Sequence, residues 1–445
     1  MTTHPKPKAD GYSGIWYEIP GAYCGGLGTY CAKHRPFAVY RPEVDKTFFC
    51  YGGSDGRSLL HMVSYFNHDT GTVPRPTILL DKQTMDAHDN PVISMDPDGH
   101  IWVFSTSHGR GRPSFIHRSV RPHDIERFER VEAEWRLDGE VVPLENFSYM
   151  QPWWVPGRGI VAFVTRYQAP VLRTTGFMTS SDGRSWSAWQ RLGVAGQGHY
   201  QVSAMCGERA GVIFNLHPPE VGQLRRTNLY YLETPDWGAT WQNAAGQEVA
   251  MPVETADHPS LVHDYEAEDL LVFLKHLTFD AAGRPVALFL TGGGKDVGPE
   301  NGPRVWRTGR WTGREWEIRR FTESDNNYDM GELVIEPDGT WRIIAPTAEG
   351  PQKWWTGGEM VLWTSEDRGA TWQRVRQLTR DSEFNHTYAR HPLNAHPGLY
   401  ALWAAGHAEQ PSPSRLYFCT KDGQVFRLPT TMEGDFAEPE PLGPE

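Results

Sequence analysis

A tight turn with matching polar residues on both sides recurs along this sequence, roughly every 50 to 70 residues. Its clearest copy spans 86–109, where two runs of apolar and β-branched residues flank Asp96-Pro97-Asp98-Gly99. Pro supplies the fixed φ and Gly the positive φ that a hairpin turn requires, so the stretch reads as two antiparallel strands. The turn lies midway between His88 and His108. Residues opposed in an antiparallel pair have Cα atoms about 4.5 to 5.5 Å apart, so the two histidines are expected to meet at one end of the hairpin.

Six further stretches follow the same plan. His34 precedes a strand at 36–40 and its return at 47–51; Tyr149 and Gln151 precede Trp153-Trp154-Val155 and a return ending at Arg166. His199 and Tyr200 are matched by Asn215 and His217, and His258 leads to a return ending at Lys275-His276. Asn327-Tyr328 is matched by Thr347, and Asn385-His386 by Gly406-His407. Seven polar-marked hairpins predict an all-β fold, a seven-bladed β-propeller. The segment 11–17 is expected to add the outer strand of the last blade, so that this N-terminal strand closes the ring and leaves no long edge.

Between the inner hairpins lie turns such as Ser365-Glu366-Asp367-Arg368-Gly369-Ala370-Thr371-Trp372, with variants at 234–241 and 180–186. They resemble the Asp-box turns of sialidase-like propellers and read as structural: the Asp caps a Gly turn and the Trp packs between strands. Helix is expected only as a turn or two within 121–131. The domain reading is a flexible start (1–10), one propeller (11–432) and an acidic, Pro-rich tail (433–445) that frays.

Net charge of −12 argues against a general nucleic-acid or anionic-membrane binder. Any polyanionic partner would need a local basic pocket. The 18 Trp among 12% aromatics suit stacking on sugar rings as well as core packing. Cys24, Cys31, Cys50, Cys206 and Cys419 lack CxxC spacing and read as thiols, neither a disulfide framework nor a zinc knuckle. The start lacks the apolar core of a signal peptide and no apolar run approaches transmembrane length, so the chain as written is expected in the cytoplasm; a longer N-terminus would make it secreted or periplasmic. A monomer or small homo-oligomer is expected.

Inner strands of a propeller start on one face around the axis, so the polar residues there converge on one funnel. Its rim would hold His88, His108, Tyr149, Gln151, Arg166, His199, Tyr200, His217, His258, Lys275 and Asn327. Ordinary glycoside hydrolysis uses two carboxylates. A rim of His, Tyr and Arg instead suits abstraction of the proton α to a uronate carboxylate, the Arg neutralising that carboxylate while His or Tyr serves as base and acid: β-elimination. His88, His108, Tyr149 and Arg166 are the catalytic candidates; Gln151, His199, Tyr200, His217, Lys275 and Asn327 are the substrate-binding ones. No cofactor is required, although the His-rich end of the chain (His386, His391, His396, His407) leaves open a structural metal ion, calcium or zinc. Gly292-Gly293-Gly294-Lys295 lacks the flanking residues of a phosphate loop, and neither HExxH nor G-x-S-x-G occurs.

Gly11-Tyr12-Ser13-Gly14-Ile15-Trp16, the run from Gly25-Gly26-Leu27-Gly28 to Lys33-His34-Arg35-Pro36-Phe37, and the segments 86–91 and 104–109 resemble the BNR-repeat proteins, which include propeller ulvan lyases cutting rhamnose-α-1,4-glucuronate linkages. That resemblance implies two histidines, a tyrosine and an arginine as the catalytic set: His88 and His108 by motif, Tyr149 and Arg166 by their place in the next hairpin. It implies Tyr as base and acid, Arg as carboxylate neutraliser, and an acidic rhamnose-containing oligo- or polysaccharide as substrate. A related branch, the α-L-rhamnosidases, hydrolyses the same bond with one histidine on the opposite face of the propeller, a place His34 would take. A non-catalytic sugar-binding propeller is the third reading.

Overall fold

The computed structural model describes residues 7–19, 23–25, 32–109, 111–137, 139–167 and 173–443. Within them the chain is all-β: the only helical elements are two 3₁₀ turns, Gly222–Arg225 and Pro299–Asn301. No described helix is long and apolar enough to cross a membrane. The strands form seven sheets of four or more strands and one two-stranded ribbon.

The first strands of the seven sheets are β1 (Ala38–Arg41), β2 (Pro91–Met95), β3 (Ser148–Val155), β4 (Gln201–Cys206), β5 (Leu271–Phe279), β6 (Glu332–Ile335) and β7 (Asn385–Arg390). From β1 to β6 each packs on its successor, and β7 packs on the second strand of the sixth sheet. Beyond β7, Leu393 bridges back to Val39 of β1. Every residue of β2 and β7 is buried, as expected of strands covered on both faces.

The hairpin that opened the sequence reading pairs as its turn dictates. Pro91 opposes Ser105 and Met95 opposes Ile101. The Gly99 N–H donates to the Asp96 carbonyl, and Gly99 adopts φ +86°, a conformation that costs glycine little. The turns at 180–186, 234–241 and 365–372 are similarly self-supporting. Asp367 accepts the Thr371 N–H (2.8 Å) and hydroxyl (2.7 Å), and Asp236 accepts the same pair from Thr240. Trp186 and Trp241 are buried in the sheets beside them.

The N-terminal strand Gly14–Ile19 pairs antiparallel with Ser412–Cys419 of the seventh sheet, Gly14 opposite Ser414 and Trp16 opposite Ser412. The Ser13 carbonyl also accepts the Ser54 N–H of the first sheet. Trp16 is fully buried, stacked on Tyr388 at 5.6 Å, and any side chain at Gly406 would overlap its indole.

Several expectations are corrected. The fifth hairpin is β5 with its return Pro285–Gly292: the turn lies at Asp280-Ala281-Ala282-Gly283, and the apolar run that read as a return strand is itself the inner strand. His258 consequently belongs to the end of the fourth sheet, bonded to Ser260 Oγ and the Ala250 carbonyl. No helix forms in 121–131; Phe128–Val131 is the edge strand of the second sheet. Over its described residues, 433–443, the acidic tail does not fray: Phe436–Ala437 pairs with Val73–Pro74, and Glu440–Leu442 with Val425–Arg427, because both edges offer free ladder groups. At the other end, Lys8 bridges Thr77 and reaches Glu126 at 2.8 Å. Cys50, Cys206 and Cys419 are free thiols; Cys31 and residues 26–31 of the N-terminal motif lie outside the described residues.

Candidate active site

The loop that enters β2 brings three groups together. Nδ1 of His88 lies 2.6 Å from Asp86 Oδ1, and Nδ1 of His108, across the hairpin, lies 2.6 Å from Asp86 Oδ2. The two imidazoles stack at 4.2 Å with a 19° tilt. An ionised carboxylate only accepts, so each histidine donates from Nδ1 and presents Nε2 as its basic atom. The His108 Nε2 is buried and accepts from no described residue. A second aspartate braces the arrangement: Asp89 accepts the His108 N–H and is itself held by Arg112 at 2.9 Å.

Electrostatics fix the protonation states. Burial pushes the Asp86 carboxyl up, but hydrogen bonds and charge from His108 and His88 outweigh it and hold the group well below the usual carboxylate range. Burial also lowers His88 to about 4, against the opposing pull of Asp86. The cluster at neutral pH is a carboxylate with a neutral His88.

Tyr149 completes the group from β3. It sits at φ +50°, at a register shift between Ser148 and Gln151; such bulges re-aim side chains, and backbone held in this region concentrates at functional sites. Its ring lies 6.0 Å from His88, 6.1 Å from His108, 5.8 Å from Tyr200 and 5.1 Å from His34. His34 therefore stands in this cluster, not on the opposite face, because it precedes β1 as the other rim residues precede their strands.

Arg166 is elsewhere. Its guanidinium packs between the Trp135 and Trp189 rings, at 4.1 and 5.3 Å. The arginine beside the tyrosines is Arg173, whose Nε lies 3.3 Å from the Tyr167 hydroxyl and whose guanidinium is 5.6 Å from the Tyr200 ring. Burial works against its charge, but the phenols of Tyr200, Tyr167 and Tyr149 more than restore it, so the group stays cationic. Tyr167 is hydrogen-bonded by Tyr149 as well as Arg173, and burial pushes its phenol up. Lys33 at 4.2 Å and Arg226 at 5.0 Å add two more cations around Tyr200, and His217 packs edge-on against it at 4.9 Å. Burial first, then Arg226 and Arg173, press His217 well below the ordinary histidine value. The whole is a basic, tyrosine-walled basin on an acidic protein.

The remaining sequence candidates divide. Tyr200 and His217 line the basin. His199 is buried behind it, with Nδ1 2.7 Å from the Asn215 carbonyl and a value lowered by burial to about 4. Gln151 joins β3 to β4, accepting from Ser203 N and Oγ and donating to the Gln201 carbonyl; its amide is committed to structure. Lys275 donates to the Asn327 carbonyl at 2.7 Å, and Asn327 to the Gly294 carbonyl at 2.8 Å, a second buried polar group near Arg226.

Asp86, Tyr167, Arg173, Lys33 and Arg226 lie outside the sequence candidates. A signal for one pair existed: Arg166 opposes Thr174 across its hairpin, so the next pair outward is Tyr167 and Arg173. One step along a strand turns side chains to the other face, which sends Arg166 away from the basin.

Asp86, His88 and His108 each offer a ligand atom within 4.8 Å of the others, a set that suits a divalent metal in its donor types. His386, His391, His396 and His407 form no such group among the described residues. His386 bonds Ser382 and Trp403, and His391 the Tyr400 carbonyl.

The BNR repeat-containing family matches residues 62–324. No curated protein matches the sequence. Among solved structures, a PL25 ulvan lyase bound to -[GlcA(1-4)Rha3S]- superposes with a TM-score of 0.72 at 17% identity, covering 91% of this chain and 96% of that one. A second structure of a PL25 ulvan lyase gives 0.73 at 17% identity over 94% of this chain and 96% of that one. The polysaccharide lyase Uly1 gives 0.64 at 12% identity over 93% and 100%. These likenesses are of fold.

Proposed function

The chain belongs to the BNR repeat-containing family, and from that premise we propose that it is a polysaccharide lyase that cleaves rhamnose-α-1,4-uronate linkages of an acidic glycan by β-elimination. In this reading the seven sheets are the blades of a propeller closed by the strand Gly14–Ile19, with the basin at its axis. The observation that carries the chemistry is the Asp86–His88–His108 cluster facing Tyr149, with Arg173 beside the tyrosines and the neighbouring carboxylate, Asp89, already engaged by the His108 N–H and Arg112.

Arg173 holds the uronate carboxylate and lowers the cost of charge at the adjacent carbon. Tyr149 removes the C5 proton, the C4–O bond breaks as C4=C5 forms, and the proton passes to the departing rhamnose oxygen. On glucuronate both groups leave from one side, so one tyrosine serves, as phenolate base and then as the phenol acid so formed. His88 and His108, fixed by Asp86, orient the sugar and accept hydrogen bonds at Nε2. Lys33, Arg226 and His217 line the path of the neighbouring residues.

Hydrolysis is disfavoured because both oxygens of Asp86, the cluster's carboxylate, already accept from imidazoles. His34 adds a further ring beside Tyr149 in place of a separate hydrolytic centre. The purified protein is tested on ulvan oligosaccharides and on rhamnosyl-glucuronate, following ultraviolet absorbance of the conjugated C4=C5 bond and release of rhamnose. Rising absorbance is expected. Rhamnose without absorbance would establish a hydrolase instead, and binding without either product a non-catalytic sugar-binding propeller.

A further inference from the structure

The far ends of the inner strands, opposite the ends near His88 and Tyr149, surround a second cavity of about 540 Å³. Pro97, Pro156 and Asn394 form its exposed rim. Its floor is polar. Arg35, only 6% exposed, directs Nη2 to His276 Nε2 at 2.7 Å and stands 3.8 Å from Glu332 Oε1. Glu332 also accepts the His391 N–H at 2.7 Å.

Donors remain in excess. Nε and Nη1 of Arg35, Nε of Arg41 and Nε1 of Trp154 are all buried, and none has a hydrogen-bond partner among the described residues. All belong to side chains that line this cavity. Buried donors are ordinarily satisfied, and a set of orphans on side chains that line one space marks a place for an acceptor. Guanidinium forks match the planar or tetrahedral oxygens of carboxylate and sulfate. The walls supply the complementary part: Trp153, lying 5.8 Å from the Arg35 guanidinium, with Met95, Leu277 and Leu393. Indole faces accept the CH-rich side of a sugar ring.

We propose that this cavity is a second, non-catalytic binding site for an acidic sugar, whose carboxylate or sulfate takes the donors of Arg35, Arg41 and Trp154 while its ring lies against Trp153. The site is independent of the lyase reading, since none of its residues reaches the Asp86 cluster.

Calorimetric titration of the full chain tests it, with glucuronate and inorganic sulfate as separate probes. Arg173→Ala serves as background, to suppress uronate binding in the basin. Saturable one-to-one binding of at least one probe is expected to persist there, weakened about tenfold or more by Arg35→Met. Because Arg35 also offsets the Glu332 charge and its loss can unfold the chain, Arg41→Gln and Trp154→Phe are measured in parallel; each should weaken binding several-fold. Glucuronate binding points to a uronate, sulfate binding alone to a sulfate ester, and both uphold the site. Absence of binding by both probes, or binding indifferent to Arg41→Gln and Trp154→Phe, would overturn it. No outcome depends on turnover, so failure here is distinct from failure of the lyase assignment.

Discussion

His88 and His108, twenty residues apart in sequence, stack at 4.2 Å and share one carboxylate through equivalent nitrogens. The pairing follows from hairpin arithmetic, but its chemical meaning comes from Asp86, which sets the tautomer of both rings at once.

Asp86→Asn separates geometry from tautomer. An amide accepts from one imidazole and must donate to the other, so one histidine loses its Nε2 lone pair. Turnover on uronate substrate should fall about 10² to 10⁴-fold. Thermal stability should change little, since Asp86 is a third exposed. Unaltered absorbance kinetics would remove the triad from the mechanism.

Tyr149→Phe should abolish elimination on glucuronate while leaving substrate affinity within a few-fold. Tyr167→Phe, which breaks the bridge between Tyr149 and Arg173, should lower kcat about tenfold and move the alkaline limb of the pH profile. If Tyr149→Phe retains full cleavage, another group is the base.

Arg173→Lys and Arg166→Lys should part company. A lysine at 173 loses the fork that fits a carboxylate, raising KM and lowering kcat together. At 166 the change removes a stacked cation from between two indoles, costing roughly 1 kcal/mol of stability with turnover near wild type. The reverse pattern in steady-state kinetics and melting would restore Arg166 as the neutraliser.

That last contrast shows what the sequence could and could not convey. Strand periodicity and turn chemistry located six of the seven hairpins, and equal distance from a turn brought His88 to His108. Those are local rules. Which arginine faces the basin depends on a one-residue change of face just beyond a strand end, which has no periodic signature. The fifth hairpin was misplaced for a related reason: Leu271–Phe279 is apolar on both faces except at Lys275, His276 and Thr278, so its Lys–His pair read as a strand end. The basic character of the basin was hidden likewise, because Lys33, Arg173 and Arg226 are scattered along a chain whose net charge is −12.

Acid should loosen the fold before it reaches the carboxylates. Burial lowers His88, His117 and His199 to about 4, and His276 and His386 to about 3. An unfolded histidine titrates near 6.5, so below that pH the unfolded chain binds more protons than the folded one, and stability declines as pH drops toward 4. Each such histidine contributes up to about 1.4 kcal/mol per pH unit. Asp86, held low, keeps its own contribution throughout the window. Melting curves between pH 7 and about pH 5 should show a steady fall in Tm; a flat profile would mean these rings are protonated in the fold.

Gly406→Ala should destabilise by about 1 to 3 kcal/mol, because the added methyl overlaps Trp16. The loss should be read by denaturant unfolding, and a neutral result would show that the Trp16 seam yields easily.

The same seam sets a constraint on biosynthesis. Gly14–Ile19 leaves the ribosome well before its partner Ser412–Cys419. Until that partner is made, the edge the strand turns toward it stays exposed while the intervening sheets assemble. The seam thus closes only after the intervening sheets have been made, and a chain stalled short of its final sheet would display a ready template for aggregation or for capture by chaperones.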